Sequence, residues 1–368
     1  LVAAGVLGSA FVRYPRHALP PGDALGVWRG AYHVHTVESD GWGTEEDVVR
    51  EAAAAGLRWV VITEHNRIVA PAPRYAGQVL LVRGVEVSTA WGHAVALDVP
   101  RALTREERRS DGSLDLLHSM GGTIVASHPV GPRRPFRRLD APQLDGIEVI
   151  SGDTMWREVV RAPLSLAAGL LALPLNPMHA AMQMVAYPER GLAAWDRMLA
   201  QRRVTGFFSH DAHGVPSYGL AFRLMSNYAV TGVAPSGDAA RDARVLVDAL
   251  IRGRSYFGLD AFAPAGAFDF HARTRDGRRV EMGEEVALGD APVLVVAVPF
   301  RALPAGMSVT IHAGGSVVRP PARPTSSGLV FEHAPTSAGP HRVQVVTEAA
   351  LGRRPWVLTN PVHVVGER

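Results

Sequence analysis

The stretch Ala31–Thr44, "AYHVHTVESDGWGT", sets two histidines one residue apart and an aspartate five residues after the second. The part "GAYHVHT" reads as a strand, and alternation along a strand turns His33 and His35 to one face. Gly41 and Gly43 mark a loop. His33, His35 and Asp40 therefore belong to one strand end and the turn that leaves it.

Outward from this stretch, short apolar runs alternate with helical ones. "TEEDVVREAAAAGL" reads as a helix, with Thr44 as N-cap, acidic residues in its first turn and Gly56 near its end. "RWVVITEHN", "VLLVRGVEVST", "GHAVALDV", "GTIVASHPV", "DGIEVISGD" and "VTGFFSHDAH" read as strands. "GSLDLLHSMG", "GLAAWDRMLAQRR" and "DARVLVDALIRG" read as helices. This alternation predicts an α/β fold with a parallel sheet, open or closed as a barrel, over residues 24–262. Within it, Ala162–Tyr187 is the most apolar interior run. Prolines 163, 174 and 177 divide it into helical pieces, with a membrane-contacting insertion as the alternative. After about Ala263 the pattern changes to short alternating runs separated by turn residues, which predicts a small β-sandwich of six or seven strands over 263–368.

In such folds functional groups collect at the carboxyl ends of the strands. His33 and His35, Glu64 and His65, Glu86, His93, His128, and Asp211 with His213 all stand at or near strand ends. Singly, each is as well read as a hydrogen-bonded or solvated side chain. Together, imidazoles and carboxylates crowded on one rim would repel one another or be desolvated at considerable cost. A divalent cation removes that cost, and nitrogen and oxygen donors without sulfur suit Zn²⁺, Mn²⁺ or Fe²⁺. Nine donors exceed the need of one ion, so two or three are expected, with Glu86 a candidate bridge.

Taken in order, "HVHTVESDGWGT", "VVITEHN", "GVEVST", "GHAVAL", "SHP" and "HDAH" resemble the motif series of the PHP (polymerase and histidinol phosphatase) superfamily, over roughly Trp28 to Phe262. The resemblance implies a distorted (β/α)7 barrel with one to three divalent metal ions at its rim. It also implies His33, His35, Asp40, His65, Glu86, His93, His128, Asp211 and His213 as the metal ligands. The wording "SDGWGT" and "TEHN", with an exported-looking start, is similar to the CehA/McbA-like branch. Two positions depart from the pattern. Glu64 stands where many members have aspartate, and His210 where serine or glycine is usual, but neither replaces a ligand. No polymerase domain accompanies the motifs, which argues against proofreading.

Composition narrows the chemistry further. All 38 strong bases are arginine, which excludes Schiff-base, P-loop and carbamylated lysines. Cysteine is absent, which excludes thiolate nucleophiles, Cys-ligated zinc and disulfides. The net charge is only +3 and no basic stripe appears, so a nucleic-acid partner is not expected. The apolar opening, residues 1–23 with its Pro20-Pro21-Gly22 linker, reads as the end of a signal peptide or membrane anchor, with a short N-terminal helix as the alternative. An exported or membrane-anchored location follows, with a cytoplasmic one as the alternative.

The expected activity is hydrolysis of a small-molecule phosphate ester by a metal-activated hydroxide, since a divalent ion lowers the pKa of water from about 15.7 to near 7. Asp211 and His93 are candidates to move a proton. Arg67, Arg133 and Arg134 follow motif strands and are candidates to clamp an anionic substrate. One rival is a single-metal ester, carbamate or amide hydrolase with a more apolar site lined by the segment Trp156–Met184. The other is a non-catalytic surface protein that keeps its metal for structure. A structural zinc site closes with four ligands, and the surplus here weighs against that.

Overall fold

The computed structural model describes residues 26–70, 72–132, 134–160, 163–183, 185–348 and 352–366. The expected N-terminal anchor (1–23), Arg133 and Met184 lie outside them. Among the described residues ten strands precede the C-terminal region: β1 (Val27–Val34), β2 (Trp59–Ile62), β3 (Arg74–Ala76), β4 (Val79–Thr89), β5 (Gly92–Leu97), β6 (Thr123–Ala126), β7 (Gly146–Ser151), β8 (Thr205–Ser209), β9 (Ser226–Val230) and β10 (Ser255–Gly258). β1, β2 and β4 pair in parallel, as do β6, β7 and β8.

The sheet is mixed rather than wholly parallel, because β5 runs antiparallel to both β4 and β6. Only Ala90 and Trp91 separate β4 from β5, and a link of that length makes a hairpin, never a crossover. Past β8 the chain returns to β1. His210 N donates to Tyr32 O at 2.9 Å and His35 N to Ala212 O at 3.0 Å, so the sheet curls until the chain leaving β8 meets β1. On its outer edge β1 pairs antiparallel with β9, and β9 with β10.

The helix Glu45–Ala54 starts where the Asp40 loop ends. Thr44 and Asp47 form a capping box there, each side chain bonded to the other's backbone N–H. Val48 and Ala52 then bury against the cluster that holds Val60, Ile62 and Leu81. The Pro-broken apolar run is two helices, Pro163–Ala172 and Pro177–Gln183. Among the described residues no helix is long and apolar enough to cross a membrane.

The C-terminal region holds eleven strands among the described residues, more than the six or seven expected, since four of them are only three residues long. Five form a separate antiparallel sheet. The others are continuous with the large sheet, because the strand Arg354–Thr359 pairs with β10. Asn360 reinforces this junction from a buried position. Its side chain accepts from Gly206 N at 2.8 Å and donates to Gly206 O at 2.9 Å and to Ser255 O at 3.1 Å. Gly206 is itself required, since a Cβ there would lie 2.6 Å from the Trp195 ring. Asn360→Ala removes these bonds and strands buried backbone groups, which should cost about 2–4 kcal/mol. Urea unfolding should show a lower midpoint with an unchanged slope, and an unchanged midpoint would refute this role.

Candidate metal centre

Glu86 on β4 is the hub. Its Oε2 lies 3.4 Å from His33 Nε2, 3.4 Å from His35 Nε2 and 3.0 Å from His65 Nδ1. Its Oε1 lies 3.0 Å from both His93 Nδ1 and His128 Nε2. The β4–β5 hairpin explains part of this, since Ser88 pairs with His93 and Glu86 is the diagonal neighbour on the same face. Asp211 Oδ1 closes the inner side at 3.6 Å from His33 Nε2 and 3.5 Å from His35 Nε2. Asp40 closes the outer side, 3.3 Å from His65 Nε2 and 3.4 Å from His213 Nε2. All nine expected ligands therefore meet in one cluster.

Alternation alone does not bring His33 and His35 together. The register of β1 against β2 shifts between Tyr32 and Val34, and His33 has φ 67°. His128 (φ 30°) and Asp211 (φ 46°) share this left-handed backbone, which costs a non-glycine residue about 1–3 kcal/mol. Three strained positions in one cluster show that its geometry is imposed by the surrounding fold.

Supporting contacts hold the donors. Glu148, buried on β7, accepts from His33 Nδ1 at 2.6 Å and from His128 N at 2.7 Å. Sequence reading passes over it, although a lone acid inside the apolar run "GIEVIS" is a visible signal. Glu64 touches the hub only through its backbone, where its O accepts from Glu86 N at 3.2 Å, and its carboxylate turns away. It accepts from Thr36 N at 3.0 Å, from Thr36 Oγ1 at 2.6 Å and from Ser39 Oγ, and so fixes the loop that carries Asp40.

The donor set fits divalent ions. His33 Nε2, His35 Nε2 and His65 Nδ1 are buried without a hydrogen-bond partner, yet all three face one oxygen of Glu86. Three overlapping groups have donor atoms within 4.8 Å of one another: His35, Asp40, His65 and His213; His33, His35 and Asp211; and His65, Glu86 and His93. Charge tells the same story. Burial opposes protonation of His33, but Glu148, Glu86 and Asp211 outweigh it and hold its pKa well above the usual range. Burial also opposes His65 and His128, yet the neighbouring carboxylates of Asp40 and Glu86 push His65 up to about 10, and Glu86 with Asp211 pushes His128 up to about 9. Protons on imidazoles balance the carboxylates wherever a cation does not.

The cluster floors a cavity of about 580 Å³ whose wall includes Thr154, Arg134 and Arg157. Arg134 donates to His93 Nε2 at 2.9 Å, and Arg157 pairs with Asp153. Arg67 donates to Glu38 O at 2.8 Å and is not among the residues lining the cavity. Arg157, the sixth residue of the helix Gly152–Val160 that follows β7, carries no signal in the sequence that sets it apart. His210 is buried beside Phe222 and lies outside the cluster.

A scan against protein-family models finds no match, and neither does a search of curated proteins. Among solved structures, a two-domain protein of Bacteroides vulgatus, described as containing a PHP-like metal-dependent phosphoesterase, is 12% identical, with 95% of this chain and 99% of that one covered and a TM-score of 0.45. A protein of Bifidobacterium adolescentis described as a metal-dependent phosphoesterase is 18% identical, covering 50% and 87%, at a TM-score of 0.28. An amidohydrolase of Chromobacterium violaceum is 16% identical, covering 50% and 87%, at 0.30.

Two outcomes follow. Metal uptake must displace protons held by His65 and His128, so it should release protons near neutrality and tighten as pH rises from 7 toward 9. Calorimetry in buffers of different ionisation enthalpy checks this, and uptake without proton release would contradict it. Glu148→Gln keeps the shape but not the charge that orients His33, and should weaken metal binding about 10–100-fold, read by competition with a chromophoric chelator.

Proposed function

We propose that the chain is a metal-dependent hydrolase of the PHP type that acts on phosphate esters. On this reading the curled sheet is a distorted barrel of seven strands, β1, β2, β4, β5, β6, β7 and β8. The observation that carries the proposal is the surplus of buried, convergent nitrogen and oxygen donors around Glu86, flooring a cavity with two guanidinium groups on its wall. His33, His35 and Asp211 would hold one ion, His65, Glu86 and His93 another, and Asp40 with His213 the outermost position. Divalent ions bound there would activate water and draw charge from the phosphoryl oxygens.

The chain's own groups do the rest. Arg134 and Arg157 supply fixed donors for the non-bridging oxygens of a phosphate. Glu148 and Glu64 hold the ligand strand and loop in place before substrate arrives. Of the two proton-transfer candidates, His93 has both ring nitrogens engaged. Arginine can only donate, so Nε2 accepts from Arg134, which leaves Nδ1, 3.0 Å from Glu86 Oε1, as the nitrogen that would hold an ion. We therefore assign His93 to positioning and keep Asp211, on the cavity wall, as the proton acceptor. The rival ester or carbamate hydrolase draws support from one feature, the apolar wall beside the cluster.

Protein loaded with Mn²⁺ or Zn²⁺ should release phosphate from p-nitrophenyl phosphate, lose that activity to EDTA and regain it with metal. His35→Ala should lower kcat about 100-fold or more. Arg134→Ala should raise KM about tenfold by removing a charge-assisted bond. Turnover of p-nitrophenyl acetate without phosphate release would transfer the assignment to the rival, and no turnover of either by the loaded protein would overturn both.

A further inference from the structure

We infer that the alcohol half of the substrate is a hydrocarbon group, seated in an apolar groove that opens directly from the metal cluster. This inference rests on the phosphate-ester reading above. A second cavity of about 420 Å³ adjoins the first and shares Asp40, Asp153, Arg157, Asp211 and His213 with it. Its wall is otherwise mainly apolar, with Trp42, Leu170, Leu173, Val215, Leu220 and Met225 prominent. Among the described residues nine large hydrophobic side chains are exposed, and four of them line this one groove: Trp42 at 80%, Leu170 at 55%, Val215 at 54% and Leu173 at 38%. Such a concentration of apolar surface marks a site for an apolar ligand or partner.

Continuity with the cluster decides which. Trp42 stands two residues after Asp40, and Val215 two residues after His213, so the loops that present the outer ligands also build the groove. Trp42 N donates to His213 O at 2.8 Å, which ties the two loops together at the junction. Charge is divided along the same line. Arg134 lines only the polar cavity, and Arg157 stands where the two meet. A phosphoryl group on the cluster can thus face Arg134 while its ester oxygen points the organic half along Trp42, Val215 and Leu170. A sugar or other polyol placed there would leave its hydroxyls without partners. The apolar helices from the Pro-broken run thereby acquire a role, as one wall of the groove.

The test is binding, read apart from turnover. Butylphosphonate and dodecylphosphonate, neither of them hydrolysable, are titrated into the metal-loaded full chain below their micellar concentrations. Each buried methylene is worth about fourfold in affinity. Dodecylphosphonate should therefore bind at least about 100-fold tighter than butylphosphonate. Leu170→Asp and Trp42→Ala, both at exposed positions, should reduce that ratio to below about tenfold. Equal affinities, or a length preference untouched by both variants, would overturn the inference. Turnover of the matching phosphate esters separates the two readings. Length-dependent binding without hydrolysis leaves the groove standing and removes the phosphoesterase. Hydrolysis of butyl and dodecyl phosphate with equal kcat/KM, and no length preference in binding, does the reverse.

Discussion

A carboxylate inside a protein keeps its charge only where positive charge or several hydrogen bonds compensate for lost water. Glu86 is 1% exposed and has five imidazoles within 3.0–3.4 Å of its oxygens. Asp211 and Glu148 add two more buried carboxylates within reach of the same rings. Neutral imidazoles do not balance three carboxylates, and protonated ones would crowd like charges together, with His33 and His35 rings 4.9 Å apart. Divalent ions satisfy both constraints at once. The rest of the rim can be understood as the framework that keeps these mutually repelling groups from relaxing apart.

That framework works by over-determination. His33, His128 and Asp211 sit in left-handed backbone, and the chain around each is pinned by an element other than its own. Glu148 on β7 holds both His33 and His128, while Ala212, just past Asp211, is bonded to β1 on both sides. The bonds that close the sheet are the bonds that place the donors. Closure and site geometry are therefore a single structural event. The capping box at Thr44 and the Glu64 contacts perform the same service for the Asp40 loop, which is otherwise open to solvent.

This also explains what the sequence could and could not reveal. His33, His35, His65, His128, Asp211 and His213 are legible because they stand where a buried strand meets the rim and a polar residue is conspicuous, whereas Glu86, inside β4, His93, at the start of β5, and Asp40, in a loop, are legible through the order of the motifs. Glu148 escaped because it lies inside an apolar run, and its reason for being there is a partner 115 positions away. The hairpin between β4 and β5 was present in the two-residue gap, but a run of βα units biases the reading toward parallel strands. β9 and β10 escaped for a related reason. They are short and buried and pair antiparallel beside β1, so neither alternation nor a crossover helix announces them. The continuity of the C-terminal strands with the large sheet depends on the pairing of Arg354–Thr359 with β10 and on the single side chain of Asn360. No local pattern encodes such a long-range match.

The apolar wall is the counterpart of the polar floor. A fold that buries this much charge at one point gains from excluding water beside it, because electrostatic interactions strengthen as the local dielectric falls. Trp42 and Val215 are placed for that by the same loops that carry Asp40 and His213. A hydrocarbon group seated against them would screen the outer edge of the cluster from solvent during the reaction. A small hydrophilic ester would leave that edge wet. The arrangement thus links selectivity to chemistry through exclusion of water, since a substrate that fills the groove also dries the centre that acts on it.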